Sequence, residues 1–170
     1  MLYPKIYIKN VKEIDQQLIE KNNIKAIILD VDNTLIDYYK NLLDGAKEWC
    51  DGLKKIGIKF CILSNSNKKE KVEEVAKKMN IPYFYFAKKP LKSGFKKAAK
   101  LLEEDNKNIA VVGDQIFTDI IGANRNKMIS ILVDPIEEKD IWITIIKRPI
   151  EKAILNKYLK KNKGGKNDLF

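Results

Sequence analysis

A chain of 170 residues, 45% hydrophobic and 33% charged, has the size and composition of one globular domain with its own core. It contains no histidine, which excludes Ser-His and Cys-His nucleophiles, facial-triad metal sites and most zinc chemistry, and leaves acid–base work to carboxylates, lysine or tyrosine. The net charge of +10 favours phosphate-bearing partners or an anionic membrane surface, but of 33 basic residues only Arg125 and Arg148 are arginine, the side chain that marks specific nucleic-acid readers.

The N-terminal run Met1-Leu2-Tyr3-Pro4-Lys5-Ile6-Tyr7 has no signal-peptide core. No apolar stretch approaches the roughly 20 residues of a spanning helix, so a soluble or peripheral cytoplasmic protein is expected. Val11, Ile14, Leu18 and Ile19 stand at helical spacing and predict a helix over 11–22. Residues 25–31 read as a buried strand, and 45–56 as a helix opened by Gly45 and closed by Gly57. Strand 58–63 ends in Ser64-Asn65-Ser66-Asn67, followed by a charged helix over 68–79 and a short aromatic strand over 83–86. Helix 91–104 follows Pro90; then come strand 109–112, helix 116–126 and strand 129–133. Beyond Pro135 the pattern changes: 136–148 mixes acids with an Ile/Trp-rich stretch, and Pro149 interrupts. Residues 150–161 then predict a basic amphipathic helix, to be placed either on the domain or on anionic lipid. Residues 160–170 read as a frayed tail. Cys50 and Cys61 lack C-x-x-C spacing and read as buried free thiols.

Apolar strands alternating with helices predict an α/β fold, a doubly wound parallel sheet covered on both faces. Right-handed crossovers bring every strand-to-helix turn to one edge, where such folds bind ligands. Asp30/Asp32, Ser64/Asn65, Lys88/Lys89 and Gly113/Asp114 all fall there.

Asp30 and Asp32 lie two apart on an extended chain and point the same way. Two such acids repel unless a cation or proton stands between them, which suits bound Mg²⁺ and chemistry on a phosphate. Asp30 can attack phosphorus in line, forming an aspartyl-phosphate. Mg²⁺ held by Asp30, Asp114 and the main-chain carbonyl of Asp32 would first neutralise the phosphate. Asp32 can protonate the leaving alkoxide and later deprotonate water. Thr34, Ser64 and Asn65 are candidates for binding the phosphoryl oxygens, and a lysine before Pro90 for placing positive charge against them. Asp119 could orient that lysine or a metal-bound water. Arg125 reads equally as a substrate contact or a helix C-terminal residue.

These residues resemble the motifs of the haloacid dehalogenase (HAD) superfamily. Asp-x-Asp-x-Thr at 30–34, Ile62-Leu63-Ser64-Asn65, Lys89-Pro90 and Gly113-Asp114-x-x-x-x-Asp119 match its four motifs in order and spacing over about residues 24–134. The phrases Asp32-Asn33-Thr34-Leu35, Val112-Gly113-Asp114-Gln115-x-x-Thr118-Asp119 and Gly122-x-Asn124-Arg125 are similar to the YqeG-type branch of subfamily IIIA. The tail, with Pro135-Ile136, Asp140, Thr144, Arg148 and Glu151, extends that resemblance over nearly the whole chain.

The resemblance implies five parallel strands in the order 5-4-1-2-3, Lys89 rather than Lys88 as the motif lysine, and Mg²⁺ as cofactor. It also implies no cap domain, because 35–57 and 65–88 are too short to hold one. The expected architecture is a single domain over 1–170, with its core at about 24–134, an N-terminal helix 11–22 and an extension 135–170. The implied activity is phosphomonoester hydrolysis. Related eukaryotic members are phosphatidylglycerophosphate phosphatases, which makes that lipid the expected substrate and the inner face of a membrane an expected location. The alternatives are a phosphatase for a nucleic-acid end or a sugar phosphate, or a non-catalytic basic module for RNA or ribosomes. Oligomeric state is open.

Overall fold

The computed structural model describes residues 2–137 and 142–163, with side chains over 2–137 and 149–161. Its strands are β1 (Ile6–Ile8), β2 (Ala26–Leu29), β3 (Lys59–Leu63), β4 (Tyr83–Phe84), β5 (Ile109–Gly113) and β6 (Ile129–Val133). The α-helices are α1 (Gln16–Asn22), α2 (Ala46–Lys55), α3 (Lys69–Met79), α4 (Lys92–Leu102), α5 (Ile121–Arg125) and α6 (Trp142–Lys163). All strand pairs are parallel, in the order β1-β6-β5-β2-β3-β4.

The five strands expected from the sequence occupy β6-β5-β2-β3-β4, which is the 5-4-1-2-3 order. Alternation along β2 explains the two covered faces. Ile27 and Leu29 join α2 and α3 residues such as Cys50, Leu53, Val72 and Met79 on one side. Ala26 and Ile28 join Phe95, Ala98 and Leu102 of α4 and Ala123 of α5 on the other. Gly122 permits that second layer: a Cβ there would lie 2.3 Å from the Phe95 ring.

Four expectations are corrected. The added strand, β1, pairs with β6 through Ile6↔Ile131 and Ile8↔Val133; three residues carry too little periodicity to be read as a strand. The helix expected over 11–22 is split into a 3₁₀ turn at Val11–Glu13 and α1. The Asn10 and Asp15 side chains accept from Lys12 and Leu18 N–H groups, so each starts its own short helix. The helix expected over 116–126 opens as a π turn at Ile116–Ile120, where the Gln115 carbonyl accepts from both Asp119 and Ile120. Finally, α6 runs through Pro149, where the sequence suggested an interruption; proline removes one N–H donor without ending this helix. The frayed tail expected over 160–170 lies from residue 164 onward outside the described residues, as do 138–141.

Ile154 and Leu155 of α6 pack against Ile116, Ile120 and Leu132, and the Tyr158 ring stacks on Tyr3 at 6.0 Å. Ile154, Leu155 and Tyr158 of the basic helix are therefore used by its own domain, while Ile150 stays exposed. No helix among the described residues is long and apolar enough to cross a membrane.

Cys50 and Cys61 are both fully buried and free. Burial pushes their thiols up to about 11 and about 12 respectively. Because the thiolate is the reacting form, a disulfide thiol reagent is expected to label neither residue in the native protein at neutral pH. It should titrate both in denaturant; rapid native labelling would contradict the packing of α2 and β3.

Candidate active site

The carboxyl ends of β2, β3 and β5 lie side by side and deliver Asp30, Ser64 and Asp114 as the first residues beyond them. The Asp30 N–H donates to the Val112 carbonyl at 2.9 Å, carrying the β2–β5 pairing one residue past the strand. The chain then turns tightly: the Val31 carbonyl accepts from the N–H groups of Thr34, Leu35 and Ile36. That turn buries Thr34, whose hydroxyl oxygen has no hydrogen-bond partner among the described residues.

Lys89 reaches into this edge from the loop between β4 and α4. Its Nζ donates to Asp30 Oδ1 and to Asp119 Oδ1, both at 2.6 Å, and all three groups are buried. Asn65 fixes the backbone of this lysine from the end of β3. The Lys89 N–H donates to Asn65 Oδ1 at 2.6 Å, and Asn65 Nδ2 donates to the Lys89 carbonyl at 3.0 Å. Lys88 is excluded from the site: it is exposed, with Nζ 5.0 Å from the centre of the Phe86 ring.

Asp119 reaches the edge because of two local features. The π turn carries it beneath β5, where Thr118 Oγ1 and the Gln115 N–H donate to Oδ2, both at 3.3 Å. Gly113 makes the room, since a Cβ at that position would lie 2.3 Å from the Asp119 carboxyl carbon. One carboxylate oxygen from each of Asp30, Asp114 and Asp119 falls within a 4.8 Å cluster, about the span of one coordination sphere.

Burial pushes the Asp30 carboxyl up to about 7; Lys89 opposes this, while Asp119 and Asp32 add to it. For Lys89, burial alone would lower the pKa, but Asp119 and Asp30 outweigh it and hold the ammonium charged well above the ordinary lysine range. One ammonium shared between two buried carboxylates leaves negative charge over. The donors are hard oxygens without histidine or cysteine, a set that fits Mg²⁺ and not a soft metal.

The other expected residues divide. The Ser64 hydroxyl is buried at the end of β3 and accepts from the Ser66 N–H at 3.1 Å. The Asp32 side chain stands outside the buried cluster and pairs with Lys71 Nζ at 2.5 Å. Two further residues are placed away from the buried cluster by their side chains. Asn65 has its side chain engaged with the main chain of Lys89, which leaves its backbone N–H as the group for a phosphate. Arg125 is exposed at the end of α5, which runs back from the site to the amino edge of the sheet; neighbouring Asn124 there meets Tyr3 and Ser130. A helix that starts at the site edge ends at the other one, so of its two readings Arg125 fits that of a helix C-terminal residue.

Sequence reasoning missed Lys71. Its signal was a cation in the first turn of α3, where the helix dipole disfavours positive charge unless an acid answers it. It also gave Asp119 less weight than the geometry does.

A parallel sheet of this order, with strand-end carboxylates around a buried lysine, is the arrangement expected of a HAD-type phosphatase. The family model described as mitochondrial PGP phosphatase matches residues 1–137, and the chain belongs to that family. It is 36% identical over 154 residues to the probable phosphatase YqeG of Bacillus subtilis, spanning 90% of this chain and 89% of the relative. It is 26% identical over 170 residues to phosphatidylglycerophosphate phosphatase 1, chloroplastic/mitochondrial, of Arabidopsis thaliana, covering 93% of this chain but 48% of that protein. Among solved structures, an uncharacterized protein from Listeria monocytogenes serotype 4b shares the fold. Its TM-score is 0.56 at 22% identity, over 69% of this chain and 85% of that one.

Proposed function

We propose that the chain hydrolyses a phosphomonoester through an aspartyl-phosphate on Asp30, with Mg²⁺ as cofactor and phosphatidylglycerophosphate as substrate. The observation that carries the reaction is Lys89 Nζ between Asp30 and Asp119 beside Asp114. The substrate rests on the family and on the name of the Arabidopsis relative.

Asp30, Asp114 and Asp119, with the Asp32 carbonyl, would hold Mg²⁺, which supplies the positive charge that lets a phosphate dianion approach a carboxylate. An Asp30 oxygen attacks phosphorus, and the bond from phosphorus to the leaving alcohol breaks as Asp32, entering the step as the carboxylic acid, gives that oxygen its proton and becomes a carboxylate. Asp32 then takes a proton from water; the water attacks phosphorus, the bond to Asp30 breaks, and inorganic phosphate leaves. Lys89 offsets charge on the phosphoryl oxygens and holds Asp30 in line, while the Ser64 and Thr34 hydroxyls donate to the same oxygens. A cavity of about 360 Å³ beside Asp114, lined among others by Tyr7, Leu132, Asp134 and Leu155, gives the leaving group room.

Hydrolysis of p-nitrophenyl phosphate with and without Mg²⁺ tests the reaction; no turnover, or turnover indifferent to chelation, would sink it. Phosphate release from phosphatidylglycerophosphate in mixed micelles, set against soluble sugar and nucleotide phosphates, tests the substrate, and no preference for the lipid would remove it. Binding has its own readout. At about a hundredfold excess over its dissociation constant, Mg²⁺ is expected to add about 2.7 kcal/mol of stability, raising Tm by about 5–10 °C. Asp114→Asn should lose most of that increase.

Lys71 fixes the position of Asp32 but also sets an ammonium beside it, and a neighbouring cation favours the carboxylate over the acid. If positioning is the larger effect, Lys71→Ala should slow proton delivery selectively. Alkyl phosphates, whose leaving oxygens need the proton, should slow by about tenfold or more. Release of p-nitrophenol, which needs it little, should change far less. Equal losses for both would show that Lys71 does not act through Asp32.

A further inference from the structure

Four aromatic side chains are strongly exposed among the described residues: Tyr38 (60%), Tyr39 (62%), Tyr85 (42%) and Phe86 (53%). All four lie on the two loops that leave the carboxyl ends of β2 and β4, the edge that carries Asp30, Ser64 and Lys89. Leu91, 52% exposed, joins them two residues after Lys89. The rest of the described surface shows no exposed aromatic; its exposed large apolar side chains are Leu2, Ile56, Leu101 and Ile150, so it is the aromatic rings that are confined to the rim around the mouth of the site.

These tips are built. Asn41 donates from N and Nδ2 to the two carboxylate oxygens of Asp37, at 2.8 and 2.9 Å, closing the loop that presents Tyr38 and Tyr39. Their rings meet edge to face at 5.5 Å. The Phe86 N–H donates to the Ser66 carbonyl and the Ala87 N–H to the Ser64 carbonyl, both at 2.9 Å, tying the second tip to the turn after β3. Lysines interleave with the aromatics. Lys40 follows Tyr39, Lys92 follows Leu91, and Lys88 lies over the Phe86 ring.

We infer that this rim seats the enzyme on an anionic membrane, with the aromatics at headgroup depth and the lysines against lipid phosphates. Aromatic rings with lysine are the chemistry of the bilayer interface. An RNA-stacking surface is the poorer fit, because Leu91 offers no ring and Arg125 lies at the opposite edge. The other candidate for lipid contact, the basic segment 150–161 of α6, packs Ile154, Leu155 and Tyr158 on the domain and leaves Ile150 exposed. The inference rests on the lipid-phosphate reading above: a phosphate fixed at headgroup depth reaches Asp30 only if this edge faces the bilayer.

Flotation of the full chain with vesicles tests it without any substrate. Binding is expected to phosphatidylcholine vesicles containing phosphatidylglycerol, and much less to phosphatidylcholine alone. The triple variant Tyr38→Ser/Tyr39→Ser/Phe86→Ser should bind about tenfold less or weaker still, with p-nitrophenyl phosphate turnover unchanged. Tyr39→Trp, which leaves the rim intact, should show a blue shift in emission on adding anionic vesicles beyond that of the unaltered protein. Absence of flotation, a triple variant that floats normally, no extra shift from Trp at 39, or displacement from vesicles by single-stranded RNA would each overturn the proposal. Flotation without hydrolysis of phosphatidylglycerophosphate supports the docking surface and removes the substrate reading; hydrolysis in micelles without flotation does the reverse.

Discussion

Lys89→Met is expected to lose about several hundredfold in turnover and to melt well below the unaltered protein. Both effects follow from where Nζ sits, 2.6 Å from Asp30 and 2.6 Å from Asp119 with all three groups buried. Removing one preorganised charge from a phosphoryl-transfer site costs about 3–4 kcal/mol of transition-state stabilisation. Removing one partner of a buried ion pair costs about 3–5 kcal/mol of stability, because the remaining charges stay in low dielectric. For a chain of this length that corresponds to a fall in Tm of about 6–20 °C.

The loss should also depend on pH. Asp30 already has its folded-state pKa raised from 3.8 to about 7, chiefly by burial and against the pull of Lys89. A raised carboxyl contributes stability that is present below its unfolded value and lost as pH rises through the folded one. Without Lys89 that window extends upward, so the deficit of the variant should be larger at about pH 8 than at about pH 5. Melts followed by circular dichroism in chelator at the two pH values measure this. A constant deficit would mean that the lysine supports packing and not the charge state of the acids.

Asp30→Asn is expected to abolish turnover, by more than about 10⁴-fold, since an amide cannot form the acyl phosphate and the remaining groups act only around that step. Stability should behave in the opposite way. The ionised form of Asp30 is disfavoured by its buried position, so a neutral isostere relieves charge where no metal is bound. In chelator at about pH 8 the variant should melt no lower than the unaltered protein. Acid quench during turnover of labelled substrate should leave label on the unaltered chain and none on the variant. Retained turnover would end the covalent mechanism, and a collapsed melting curve would show that Asp30 serves the fold.

The strand order and the meeting of Asp30, Ser64, Lys89 and Asp114 were legible because each polar group directly follows, or loops back from, a continuous apolar strand. A parallel sheet leaves such groups only one edge to occupy. Features that depend on tertiary fit were less legible. Asp119 was read as able to orient the lysine, and Lys89 Nζ lies 2.6 Å from it; the room that Gly113 makes and the register shift of the π turn, which bring it there, are not reported by a period of apolar residues. The partnership of Lys71 with Asp32 crosses 39 residues, and that of Asn65 with Lys89 crosses 24. Arg125 stayed open between two readings for the opposite reason: it is near the motif in sequence, but the helix direction carries it to the helix C-terminus.

The strand that periodicity missed has a practical use. Because β1 runs parallel to β6 and enters its register at Ile6, the backbone ahead of it lies at the amino edge of the sheet, where Lys5 meets Ser130. A biotin or surface tether joined ahead of β1 would hold the molecule by its back, leaving Asp30 and the aromatic tips turned toward whatever flows past an immobilised sensor.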